Sequence, residues 1–180
     1  VYISPYNDPL VIAGQGTVGV EICEQLEQVD AVFASVGGGG LIGGIATYVK
    51  NRFPDCQIVG CAPANSNVMF ESLAAGEILD LPSTETLSDG TAGGIEKEAI
   101  TLELCKQITQ TVSVSESEIA SCLIQFTDSH GMLIEGAAAV AIAGLMRLRE
   151  KFSGKNVVVV LCGANIAVKK LESVLRMRDQ

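Results

Sequence analysis

Residues 36–44 read VGGGGLIGG, six glycines in nine positions. Glycine loses more conformational freedom on folding than any other residue. Four in a row between apolar segments therefore need a neighbour so close that no side chain fits. DAVFASV before the run reads as a strand, and LIGGIATYVKNRF after it reads as a helix stopped by Pro54. The loop thus lies at the carboxyl end of a strand and the start of a helix. Ligands of open α/β sheets bind there, and unpaired N–H groups with a positive dipole end favour an anion. Bare backbone at Gly37, Gly38, Gly39 and Gly40 lets several N–H groups turn toward one anion. No Gly-Lys-Ser/Thr follows, so this is not the triphosphate-binding P-loop, and a single phosphate group without metal is the better fit. Close packing of Gly40, Gly43 and Gly44 against a neighbouring element is the competing reason for the same glycines.

The rest of the chain alternates in the same way. PLVIAG reads as a strand, followed by GTVGVEICEQLEQV with Val18, Ile22, Leu26 and Val29 on one helical stripe. CQIVGCAP reads as a strand and NVMFESLAAG as a helix with Gly76 past its end. EILDLPSTETLSDGTAGGIE is loop-like, EAITLELCKQI helical and TVSVS a short strand. Ser115 and Glu118 form a capping box opening SESEIASCLIQFTDSHG. EGAAAVAIAGLMRLREKF is a long apolar helix, NVVVVLCG a buried strand and NIAVKKLESVLRM a final helix. Strand-then-helix order with β-branched runs predicts an α/β fold, an open, mainly parallel twisted sheet with helices on both faces.

Charge and composition exclude several classes. A net charge of −9 repels nucleic acid and anionic lipid, and aromatic residues at 4% with no Trp leave no platforms for stacking bases. No apolar run reaches the roughly 20 residues of a membrane span. The opening VYISPYNDPL has no basic stretch followed by an apolar one, so no signal peptide is expected. The six cysteines show no C-x-x-C and most sit in apolar contexts, the pattern of reduced, mostly buried thiols in a cytoplasmic protein.

Three further features compete for a functional reading. Gly14-Gln15-Gly16-Thr17-Val18-Gly19 fits the dinucleotide fingerprint G-x-G-x-x-G, but the acidic residue expected after the second strand is missing. A tight strand-to-helix turn is the preferred reading of those glycines. Cys162, at the end of the last strand, is expected to face the same crevice as the glycine loop; a buried cysteine is the alternative. A thiol there is mostly neutral at pH 7. His130, the only histidine, ends a polar run at an expected helix C-terminus, where a cation is favoured, and is read as structural.

Taken together, PLVIAGQGT, VGGGGLIGGIA, SDGTAGG, MLIEGAAAVAIAG and VVLCGANI, in that order, resemble the pyridoxal-phosphate enzymes of the threonine dehydratase and serine racemase family, fold type II. The resemblance runs along the whole chain. It implies that Gly37, Gly38, Gly39 and Gly40, with the N–H of Leu41, cradle the phosphate of pyridoxal 5'-phosphate. It further implies that Cys162 faces the pyridine nitrogen and that Gly90 lines the cofactor crevice. Glu135 matches a glutamate near the cofactor ring, although a mid-helix core carboxylate is an equal reading. The implied activity is dehydration and deamination of a small hydroxy amino acid, threonine or serine, to a 2-oxo acid and ammonia. Serine racemase, or a non-catalytic lobe that binds phosphate or the cofactor, are the alternatives.

The chain also departs from the family. None of Lys50, Lys97, Lys106, Lys151, Lys155, Lys169 and Lys170 lies in the Ser-x-Lys-x-Arg-like context of the Schiff-base lysine. Residues 1–180 are therefore expected to be the C-terminal part of the cofactor-binding large domain, with the lysine segment and small domain absent. No catalytic residue is assigned within the chain. Its expected partners are the amino-acid substrate, the N-terminal half of the parent enzyme and a second copy in a homo-oligomer, a dimer. Where some relatives place acidic metal ligands this chain has Ala62 and Val68, so no metal is expected there.

Overall fold

A computed structural model describes residues 1–177. Strand β1 (Ala31–Ser35) is buried along its whole length, because Ala31 and Phe33 face one apolar layer while Val32 and Ala34 face another. It pairs in parallel with β2 (Gln57–Pro63), Ala31 opposite Gln57 and Ser35 opposite Cys61. Its other side pairs in parallel with β4 (Val157–Val159), and β2 in turn pairs with β3 (Gln110–Val114). The order β3-β2-β1-β4 makes a parallel sheet, as the sequence predicts, but with four strands among the described residues where the sequence reading had five. β4 is a correction in degree. It has only three residues, lies at the sheet edge and is half-buried rather than buried, since one side has no neighbouring strand among the described residues.

The two faces carry separate helical layers. Helices α5 (Glu116–His130) and α6 (Gly136–Leu148) cover the face of Phe33, Val59 and Val112, where Phe152 meets Phe33 edge-on at 5.2 Å. α6 lies close to the strands because a side chain at Gly144 would strike the Cys61 sulfur. Helix α7 (Val168–Met177) closes this side through the buried Val174. Helices α2 (Gly40–Arg52) and α3 (Val68–Ala75) cover the other face with Ile42, Ile45, Val49 and Met69. The capping box of Ser115 and Glu118 is formed, and Gly76 ends α3 in the left-handed region at φ 78°.

The beginning of the chain differs from its expected form. PLVIAG is not a strand: it is the first part of α1 (Pro9–Gln25), which packs along α2. Asp8 caps this helix by accepting from the amides of Leu10 and Val11, and Pro9 sits where the helix needs no N–H donor. Gly14–Gly19 is therefore helix interior and not a turn, which removes the dinucleotide geometry. The expected stripe is also shortened: Val18 and Ile22 pack inward, but α1 ends at Gln25, Leu26 is exposed and Val29 is buried beyond the helix. EAITLELCKQI condenses to a short helix, α4 (Thr101–Cys105), flanked by turns.

Candidate functional site

β1 ends at Ser35, and the chain crosses Val36–Gly39 before α2 begins at Gly40. Each glycine of the loop faces a different obstacle. A side chain at Gly37 would lie 2.8 Å from the Thr91 carbonyl oxygen, one at Gly38 would enter the Tyr6 ring, and one at Gly40 would lie 2.5 Å from the Tyr6 carbonyl oxygen. Gly39 has φ 88° and is backed by the Cys105 sulfur. Protein atoms thus pack against the loop at each of its four glycines. Among the described residues no acceptor takes the N–H groups of Gly37 to Ile42, and the first helical bond runs from Gly43 to the Gly39 carbonyl. Those N–H groups and the start of α2 border a cleft of about 280 Å³.

All eight residues singled out in the sequence line this cleft: Gly37, Gly38, Gly39, Gly40, Leu41, Gly90, Glu135 and Cys162. The loop after β4 brings Cys162 over the end of β1, where its sulfur and the Ser35 hydroxyl are 3.3 Å apart. Desolvation raises the Cys162 pKa above the ordinary thiol value; the Ser35 contact offsets part of this and the Glu135 carboxylate adds to it. The thiol is therefore neutral near pH 7.

Glu135 is not a mid-helix residue. It is the N-cap position of α6, extended at φ −94° and ψ 170°. Its N–H donates to the Gly163 carbonyl, and its Oε2 accepts from the Asn165 N–H at 3.0 Å. A side chain at Gly163 would collide with the Glu135 carboxylate, which explains the glycine after Cys162. Gly90 lies on a single 3-10 turn, Asp89–Thr91. Lys170 holds this turn by an ion pair to Asp89 at 2.9 Å and a bond to the Thr86 carbonyl.

Sequence reasoning missed Pro5, Tyr6, Gln15, Ser35, Thr91 and Ala137, which line the same cleft. Ser35 was findable, because its strand ends one residue before the glycine run. Tyr6 was not, since it reaches the site only because residues 1–8 are a strap preceding a helix. His130, at the end of α5, stacks on Phe126 at 4.3 Å, far in role from this cleft. A larger groove of about 540 Å³ between α1, α2 and α4 is almost entirely apolar and has no strand end in it. Among the described residues no group of three or more His, Cys, Asp or Glu side chains gathers as a metal cluster, and no helix is long and apolar enough to cross a membrane.

Residues 1–163 match the family described as pyridoxal-phosphate dependent enzyme. The chain is 37% identical over 177 residues to an L-threonine ammonia-lyase of Thermotoga maritima, covering 97% of this chain and 43% of that protein. It is 36% identical to a catabolic L-threonine dehydratase of Escherichia coli, covering 99% of this chain and 55% of the relative. The processed form of threonine deaminase isoform 2 from Solanum lycopersicum superimposes with a TM-score of 0.91 at 36% identity, over 99% of this chain and 53% of that one. A serine racemase from Dictyostelium discoideum superimposes at 0.83 with 28% identity, over 92% of this chain and 54% of that one. The chain therefore spans about half the length of these relatives.

Proposed function

The chain belongs to the family of pyridoxal-phosphate dependent enzymes, and on that premise we propose that its cleft holds pyridoxal 5'-phosphate as part of a lyase acting on threonine or serine. The observation that carries the reading is the glycine loop: its N–H groups are left without acceptors at a helix start that borders the cleft, while protein atoms pack where its side chains would be. That arrangement suits a phosphate. In this reading Gly37, Gly38, Gly39, Gly40 and Leu41 hold the phosphate, Gly90 leaves room for the ring, and Cys162 meets the ring nitrogen. Bound there, the cofactor supplies an electron-accepting ring that stabilises negative charge at the substrate α-carbon.

The protein's own contribution follows from its side chains. Cys162 is a neutral donor held by Ser35, so it hydrogen-bonds the ring nitrogen without delivering a full proton to it. That keeps the ring a moderate electron acceptor, which suits prompt loss of a β-hydroxyl. Glu135 ties down the Cys162–Asn165 segment through Gly163 and Asn165, and thereby the thiol. None of the seven lysines lines the cleft. We infer that the lysine that binds the cofactor and removes the α-proton is supplied by a segment outside residues 1–180, along with the small domain. The whole protein is read as a cytoplasmic homo-oligomer, and the six free thiols support the reduced compartment.

The test is to assay the full-length protein, loaded with pyridoxal phosphate, on L-threonine and L-serine. Equal amounts of ammonia and 2-oxo acid are expected. D-serine formed without ammonia would move the assignment to a racemase. Neither product would reduce the chain to a binding lobe.

A further inference from the structure

We propose that Glu96 is a positioning residue for the glycine loop: it clasps residues 2–7 and thereby holds Tyr6 against Gly38 and Gly40. The proposal rests on reading that loop as a phosphate cradle, and it adds what holds the cradle in shape.

Glu96 gathers four residues of the strap. Its Oε1 accepts from Ser4 Oγ at 2.6 Å and from the Tyr2 hydroxyl at 3.3 Å, and its Oε2 accepts from Asn7 Nδ2 at 2.6 Å. Its backbone N–H donates to the Tyr6 hydroxyl at 2.8 Å. The side-chain donors hold the Glu96 carboxyl below its ordinary pKa, Ser4 and Asn7 first. Asn7 adds a second tie by accepting from the Ile100 N–H at 2.8 Å, one residue before α4. Tyr6 between them has no slack. Its ring lies where a Gly38 side chain would go, and its carbonyl lies 2.5 Å from where a Gly40 side chain would start.

The same clasp reaches the loop from the other side. Residues 96–105 carry Thr101 and Cys105, which back Gly39, and the Cys105 thiol donates to the Gly39 carbonyl at 3.7 Å. Four consecutive glycines have almost no conformational preference of their own. Their N–H groups converge only if something outside the loop imposes the geometry. Glu96, with the Asn7–Ile100 bond, is where the strap and the α4 segment are joined, two supports of the loop that stand beside Thr91 at Gly37.

The test uses the full-length protein and its Glu96→Ala and Tyr6→Phe variants. Amide order parameters of Gly37 to Leu41 are measured by NMR, and pyridoxal phosphate and pyridoxal are titrated by equilibrium dialysis. Wild-type values near ~0.85 are expected, falling below ~0.6 in Glu96→Ala. The variant should bind pyridoxal phosphate about tenfold more weakly and pyridoxal unchanged, and Tyr6→Phe should show a smaller loss of the same kind. Glu96→Gln, which keeps one acceptor oxygen, should recover part of the affinity. Order parameters that fall in residues 1–7 but hold in Gly37 to Leu41 would overturn the clasp. A wild-type chain with no preference for pyridoxal phosphate over pyridoxal would overturn the cradle reading instead, and the order parameters would still decide the clasp.

Discussion

Replacing single glycines by alanine along α1 and α2 separates the two explanations of Gly14–Gly19. A methyl group added at Gly14 would have nothing within 4 Å, one at Gly16 would meet the Gly44 carbonyl oxygen at 3.3 Å, and one at Gly44 would meet the Ile12 carbonyl oxygen at 2.5 Å and the Gly16 nitrogen at 2.8 Å. Alanine is favoured over glycine inside a helix by about 1 kcal/mol. Gly14→Ala should therefore stabilise the chain by about 0.5–1 kcal/mol. At Gly44 the obstacle is backbone, which cannot rotate away, so the helices must part by roughly 1 Å at an overpacking cost of about 2–3 kcal/mol. The propensity gain offsets part of it, leaving Gly44→Ala less stable by about 1–2 kcal/mol. Gly16→Ala, needing only a few tenths of an ångström, should fall near zero. Urea unfolding with matched m-values gives the ranking directly, as midpoint shifts of opposite sign for Gly14→Ala and Gly44→Ala. Equal losses at Gly14 and Gly44 would refute the helix-packing account and reopen a ligand role for the motif.

Three other outcomes follow from named groups. In a thiol titration Cys162 should react first and be protected by pyridoxal phosphate, and by pyridoxal only at higher concentration. Cys61 and Cys105, pushed up to about 12 by burial, and Cys56, pushed up to about 11 mainly by burial, should react only on unfolding. The Arg147 guanidinium, hydrogen-bonded to Glu118 with help from Ser115, holds that carboxyl down to about 2. Because the folded value lies below the ordinary 4.5, this stabilisation is present above pH 4.5 and is lost as pH falls toward 2. After discounting for the pair's partial exposure it amounts to about 1 kcal/mol, and Glu118→Gln should flatten that part of the acid unfolding curve. Ser115→Ala removes the α5 cap and should cost about 1 kcal/mol in thermal unfolding, with cofactor affinity unchanged.

The sheet and most helices were legible because their signals are local. The β1 run AVFAS is apolar on both faces, Ser115 and Glu118 spell out a capping box, and Gly76 follows a helix. PLVIAG was misleading because a short apolar run has no period that separates strand from helix. The deciding signal stood just before it, in Asp8 and Pro9, an N-cap followed by proline at the first helical position. Glu135 was placed on the site but in the wrong local setting, since Gly136 starts the helix and its need for glycine comes from the distant Leu87 carbonyl. Distant contacts of this kind leave no periodic trace, and Tyr6 belongs with them.

The two glycine motifs turn out to be parts of one construction. Gly16 and Gly19 of α1 pack on Gly44, Ile45 and Tyr48 of α2, so the first motif sets how closely the two helices approach. α2 begins at Gly40, the last glycine of the second motif, one helical turn before Gly44. α1 begins at Pro9, directly after the strap that carries Tyr6 onto Gly38. A shift of α1 relative to α2 therefore moves Tyr6 relative to the loop it presses. The motif that imitates a ligand-binding fingerprint is thus a packing device, which sets the distance across which Tyr6 and the tetraglycine backbone meet.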